Sequence, residues 1–126
     1  MVTWILWALI LAMLAWMGFN YLRIRRAAKI VDNEEFEALI RTGQLIDLRD
    51  PAEFHRKHIL GARNIPSSQL KTSLAALRKD KPVLLYENQR AHRVTNAALY
   101  LKKQGFSEIY ILSYGLDSWK GKVKTS

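Results

Sequence analysis

Leu45 to Pro66 reads LIDLRDPAEFHRKHILGARNIP. Leu45, Ile46 and Leu48 make a compact apolar run around Asp47, cut short by Asp50-Pro51. That pattern predicts a buried strand followed by a helical turn that proline opens. Gly61 permits close backbone approach, Pro66 fixes a bend, and Ser67 or Ser68 caps a helix carrying Leu70, Leu74 and Leu77.

The flanking sequence extends the same alternation. Before the strand, Asp32 or Asn33 caps a helix through Ile40, with Phe36, Leu39 and Ile40 as its apolar stripe and Thr42-Gly43 as its end. After it, Pro82 opens a strand over Val83, Leu84, Leu85 and Tyr86, whose unbroken apolarity suits a central parallel position. A helix from about Arg90 to Gln104 buries Val94, Ala97, Ala98 and Leu101 and stops at Gly105, with Phe106 closing the cap. Ile109 to Leu112 is the last strand, and Leu116 to Trp119 a short final helix. Strand alternating with helix predicts an α/β domain with a parallel sheet flanked by helices over residues 30–122, leaving 123–126 as a tail.

Residues 1–22 carry no charged side chain. Val2 to Leu22, as a helix, spans roughly the 30 Å hydrocarbon layer of a bilayer, and it is apolar on all sides. A cleaved signal peptide fits less well, because no basic segment precedes the run and no small-x-small site follows it. Trp4, Trp7 and Tyr21 lie towards its two ends, where aromatic rings favour the headgroup region. Residues 23–29 read as a basic juxtamembrane linker in which Arg23, Arg25, Arg26 and Lys29 meet anionic lipid. By the positive-inside rule the N-terminus lies outside and the following domain in the cytoplasm, a single-pass arrangement in the cell membrane.

The formal charge of +9 divides: Arg23, Arg25, Arg26, Lys29 and Lys124 lie outside residues 30–122, which hold fifteen basic and all eleven acidic residues, leaving the domain at +4. No groove-reading motif or aromatic-interleaved basic platform is present, so nucleic acid is not an expected partner. Asp32, Glu34, Glu35 and Glu37 are the favourable acidic start of a helix. His55 and His58 sit beside Glu53 without a third clustered ligand, so no metal site is expected.

The order of motifs in Leu45–Pro66, an apolar strand, Asp-x-Arg, Glu-Phe, His-Ile-x-Gly-Ala and Asn-Ile-Pro, resembles the first signature of rhodanese domains. Pro82 to Tyr86 resembles the strand feeding the family's active-site loop, and Leu112, Gly115 and Trp119 resemble its final signature. The resemblance implies a rhodanese-like fold behind one transmembrane helix, an architecture similar to that of small bacterial membrane proteins, and no cofactor. It also implies that Asp47, Arg49, His58, Gly61, Pro66 and Trp119 are structural: the polar ones hold loops by hydrogen bonds and Trp119 plugs the core.

Rhodanese chemistry runs on one cysteine, and this chain has none. The loop that should carry it reads Glu87-Asn88-Gln89-Arg90-Ala91-His92, leading into Arg93, with Glu87 at the cysteine position, Arg90 where glycine is common and His92 where arginine is common. A carboxylate cannot carry a persulfide or act as the thiolate nucleophile. Two shapes are open to this degenerate loop. Glu87 folds inward and accepts the cradle's N–H groups in place of the missing anion, or the loop splays and presents Arg90, His92 and Arg93 as a basic surface. The expected function is a catalytically inactive module at the cytoplasmic membrane face that binds a protein partner or senses an anion. The alternative is an accessory in sulfur transfer that uses a partner's cysteine.

Overall fold

The computed structural model describes residues 2–88 and 92–125, with the side chains of 23–27 and of His92 outside that description. Its chain order begins with α1 (Val2–Ala27), β1 (Lys29–Val31), α2 (Asn33–Ile40), β2 (Gln44–Asp47) and α3 (Pro51–Arg56). Strands β3 (Lys57–Ile59) and β4 (Arg63–Asn64) follow, then two 3-10 segments at Ser67–Gln69 and Lys71–Ala76. The chain continues with β5 (Val83–Tyr86), α4 (His92–Lys103), β6 (Ile109–Leu112), a 3-10 turn at Leu116–Ser118 and β7 (Val123–Thr125).

Five strands pair in the order β1-β6-β5-β2-β4, and every pairing is parallel. This is the expected α/β architecture. The central strand β5 is buried at all four positions, as its unbroken apolar run requires. One face packs Ile46, Leu85 and Ile111 against Val94, Ala97, Ala98 and Leu101 of α4. The other packs Leu45, Leu84, Tyr86 and Leu112 against Phe36 of α2 and Leu116. Phe36 meets Trp119 edge to face, with centroids 5.9 Å apart, so the tryptophan borders this second core.

The helix ends follow their sequence signals. The Asp32 side chain accepts the Glu35 N–H at 2.9 Å and caps α2. At the end of α4, Gly105 turns to φ 101°, its N–H reaching the Lys102 carbonyl while the Phe106 N–H reaches Leu101, and Phe106 is buried behind it. Two expectations need correcting. The segment after Pro66 is a pair of 3-10 turns with no serine cap, because Leu70 is drawn into the core between them and Leu77 already turns extended. Gly61 is not at a close approach: nothing lies within 4 Å of where its Cβ would be, and glycine serves there through its φ of +92°.

Both ends of the domain reach further than the sequence reading drew them. Helix α1 continues to Ala27, Ala28 is buried in the core, and Lys29 to Val31 form an edge strand on β6. Helix α1 also lies against α4. At the other terminus, Val123 to Thr125 pair antiparallel with Lys57 to Ile59, so residues read as a tail form the second strand of a small sheet. By contrast, Val2 to Leu22 is a continuous apolar run with none of its length buried against the domain, and Trp4, Trp7 and Trp16 stand exposed.

Candidate functional site

From β2 the chain passes through α3 to β4 on one side of the sheet; from β5 it passes through α4 to β6 on the other. Adjacent strands β2 and β5 therefore diverge at their carboxyl ends, where open parallel sheets form a crevice. Asp47 ends β2 and Glu87 directly follows β5, so both reach that crevice.

Asp47 and Arg49 form its floor. Asp47 is fully buried, and Arg49 is nearly so. Arg49 donates from Nη2 to Asp47 Oδ2 at 2.7 Å and from Nε to both carboxylate oxygens, while its own backbone N–H reaches Oδ1 at 2.9 Å. The same guanidinium donates to the Lys57 carbonyl and, through Nη1, to Asn88 Oδ1 at 3.0 Å. Burial alone would lower the Arg49 pKa, but the hydrogen bonds and charge of Asp47 outweigh it and raise it. Tyr86, opposite Asp47 in the sheet, accepts the Ile59 N–H on its hydroxyl. Its burial, and then the neighbouring Asp47 carboxylate, push its pKa well above the ordinary tyrosine range.

Asn88 is held on both flanks. Its side-chain oxygen takes the Arg49 bond, its Nδ2 donates to Glu53 Oε2 at 2.8 Å, and its carbonyl accepts the Asp117 N–H. The Glu87 carbonyl likewise accepts the Leu116 N–H at 2.8 Å. This close approach needs Gly115: at φ 71°, a Cβ there would stand 2.6 Å from the Glu87 carbonyl oxygen and collide with Asn88 as well.

The Glu87 side chain turns inward. It is 8% exposed, and its Oε2 accepts the Val94 N–H in the first turn of α4 at 2.9 Å. Of the two shapes open to the loop, the first describes Glu87. Gln89, Arg90 and Ala91 lie outside the described residues, as does the His92 side chain. Arg93 points elsewhere, into a cavity between α4 and the 3-10 turns.

The remaining signature residues take structural positions. His58 Nδ1 bonds the Phe54 carbonyl at 2.7 Å, and its ring stacks on Phe54. Pro66 is buried at the turn into the first 3-10 segment. Glu53 and Gly115 were not singled out as parts of the site. Glu53 had only its place in the Glu-Phe motif to mark it, and its partner Asn88 lies 35 residues away. Beside this network, Arg49, Glu53, Arg56, Lys57, Asn88 and Asp117 border an open cleft of about 370 Å³. Among the described residues no cluster of three His, Asp or Glu could hold a metal.

Fold and site together define a rhodanese-type domain, and residues 32–122 match the model of the rhodanese-like domain. The chain belongs to that family. It is 48% identical over 113 residues to the uncharacterized protein YqhL of Bacillus subtilis, covering 90% of this chain and 89% of that one. It is 37% identical to the thiosulfate sulfurtransferase GlpE of Stutzerimonas stutzeri over 73% of this chain and 84% of that one. Among solved structures, the full-length protein from Lactobacillus plantarum superposes with a TM-score of 0.70 at 23% identity, over 91% of this chain and 98% of that one, a likeness of fold.

Proposed function

We propose that this chain is a non-catalytic rhodanese-like module, tethered to a membrane by α1, whose loop end docks a protein partner. The observation that carries this reading is the Glu87 carboxylate, buried and bonded to the Val94 N–H where a thiolate would be needed. Sulfur transfer demands a nucleophile that can hold and release sulfane sulfur, and the chain has no cysteine at any position. The inward carboxylate also puts a negative charge at the first turn of α4, which favours docking of a protein over capture of a small anion.

The tether rests on the 21-residue apolar run that the domain leaves uncovered. Arg23, Arg25, Arg26 and Lys29 follow that run, which supports a cytoplasmic domain resting on anionic lipid at a bacterial cell membrane. The accessory reading, in which a partner's cysteine supplies the sulfur chemistry, draws on the 370 Å³ cleft beside Asn88 and on the likeness to a thiosulfate sulfurtransferase.

Tyr114 is exposed one residue before Gly115, at the loop end; Lys103 is exposed at the far end of α4. A photocrosslinker at Tyr114 in native membranes should give a discrete adduct that the same probe at Lys103 does not. The full chain should form no thiocyanate from thiosulfate and cyanide. Identical adducts from both positions would overturn the docking face, and thiocyanate formation would overturn the non-catalytic assignment.

A further inference from the structure

Arg93 opens onto a cavity distinct from the cleft beside Asn88. About 350 Å³ in volume, it lies between the 3-10 turns at Ser67–Gln69 and Lys71–Ala76 and one side of α4. Five polar side chains line it: Ser67, Ser68, Lys71, Arg93 and Asn96. Leu70, Ala97 and Tyr100 supply its apolar surface. Arg93, Asn96, Ala97 and Tyr100 stand at the three- and four-residue spacings that place side chains on one helical face. Two chain segments thus converge on one pocket.

What marks this pocket is that its described polar side chains make no hydrogen bond and include two cations with no carboxylate beside them. In the cleft beside the loop, Arg49, Glu53 and Asn88 are bonded to one another. In the cavity near Gly43, the Gln44 amide is bonded to Arg78 and Arg63 donates to the Ala76 carbonyl. Here none of the five side chains hydrogen-bonds another described residue, and neither the Arg49–Asp47 nor the Arg78–Asp80 ion pair involves them. Among the described residues no carboxylate lines the pocket. Arg93 is half-buried, and its guanidinium has no described acceptor. Lys71 stands with Nζ 5.6 Å from the Tyr100 ring centroid, which holds a second cation over the pocket wall.

We infer that this pocket binds a phosphate monoester with a small apolar body. A guanidinium fork, an ammonium, two hydroxyls and an amide present more donors than the two oxygens of a carboxylate can accept, whereas a phosphate ester has acceptors for them. Leu70, Ala97 and Tyr100 suit the ester's apolar part. The volume is near the lower end for small-molecule sites, about 300–1,000 Å³, which fits a phosphate with a ring-sized body. Because α1 lies against α4, the same chemistry has two sources, a free phosphate ester or the headgroup of phosphatidic acid.

The test uses the full chain in uncharged detergent micelles, titrated with phenyl phosphate while the backbone amides of Ser68 and Asn96 are followed by NMR. The shifts should saturate, inorganic phosphate should bind more weakly, and phenol should not bind. Lys71→Gln and Arg93→Gln should each weaken phenyl phosphate by about tenfold, the size of one charge-assisted hydrogen bond. Asp80→Asn, at an exposed residue outside the pocket, should leave this affinity unchanged. Lys71 is exposed, so its substitution leaves the fold intact. Repeating the titration in nanodiscs with and without phosphatidic acid assigns the source: lost binding only with phosphatidic acid identifies the headgroup, and unchanged binding a free ester. Unsaturable shifts, or equal affinity in Lys71→Gln and the native chain, would overturn the proposal.

Discussion

Replacing Asp47 by alanine removes the partner around which the crevice is built. Its carboxylate is fully buried and receives Arg49 through Nε, Nη2 and the backbone N–H. The alanine variant leaves the Arg49 guanidinium inside with only the Lys57 carbonyl and Asn88 as acceptors. Removing one partner of a buried ion pair costs about 3–5 kcal/mol, because the surviving charge remains uncompensated. That is a large share of the roughly 5–15 kcal/mol by which such domains are stable. With a urea slope of about 1–3 kcal/mol per molar, the unfolding midpoint should fall by about 2 M. Pulse proteolysis of the full chain in detergent micelles reads that midpoint, since the protease cuts the unfolded domain. The control is Asp80→Ala. Asp80 pairs with Arg78 at 2.6 Å, but both side chains are exposed, so the midpoint should not move. If Asp47→Ala shifted the midpoint no more than Asp80→Ala does, the buried pair would not be what holds the crevice together.

Two further outcomes follow from the same geometry. Gly115→Ala places a Cβ against the Glu87 and Asn88 carbonyls at positive φ, and strain plus overpacking should cost about 2–5 kcal/mol. Hydrogen exchange checks it, because the Leu116 and Asp117 amides bonded to those carbonyls should lose protection ahead of the rest of the sheet. Tyr86 predicts a pH dependence. Its folded pKa is raised above its ordinary value of 10.0, so the folded state keeps a proton that the unfolded chain releases. Its contribution to stability is complete below that value and lost progressively as pH rises above it. Urea midpoints across that range should fall more steeply for the native chain than for Tyr86→Phe, and parallel slopes would contradict the assignment.

Much of the fold was legible because its signals are local. The apolar run at Val83–Tyr86, the Asp32 cap and the Gly105-Phe106 stop each lie within a few residues of the feature they specify. Strands β1, β3, β4 and β7 were missed because two or three residues, several of them lysine or arginine, show no alternation; their pairing partners create them. The turns after Pro66 carry helical leucine spacing, yet drawing Leu70 and Leu77 into one core tightens them to 3-10 geometry. At the site, Glu87 could be placed by counting from the end of a strand. Its inward orientation could not, because the Val94 N–H becomes an acceptor's target only once α4 starts beside the loop. The Asn88 bonds to Glu53 and Arg49, and the cavity that Lys71 and Arg93 both line, join parts of the chain that only the folded sheet brings together.

In the proposed module the Glu87 carboxylate stands at the Val94 N–H in place of a bound anion. Thiosulfate titrated into the full chain and into Glu87→Gln, read at the Val94 amide by NMR, tests it directly. A like charge about 4 Å away opposes an incoming anion by up to about 4 kcal/mol at an effective dielectric constant near 20, and solvent screens part of that. Removing the charge while keeping an acceptor for the Val94 N–H should therefore tighten thiosulfate binding by at least about tenfold. Equal affinity in the two proteins would mean that Glu87 does not fill the cradle.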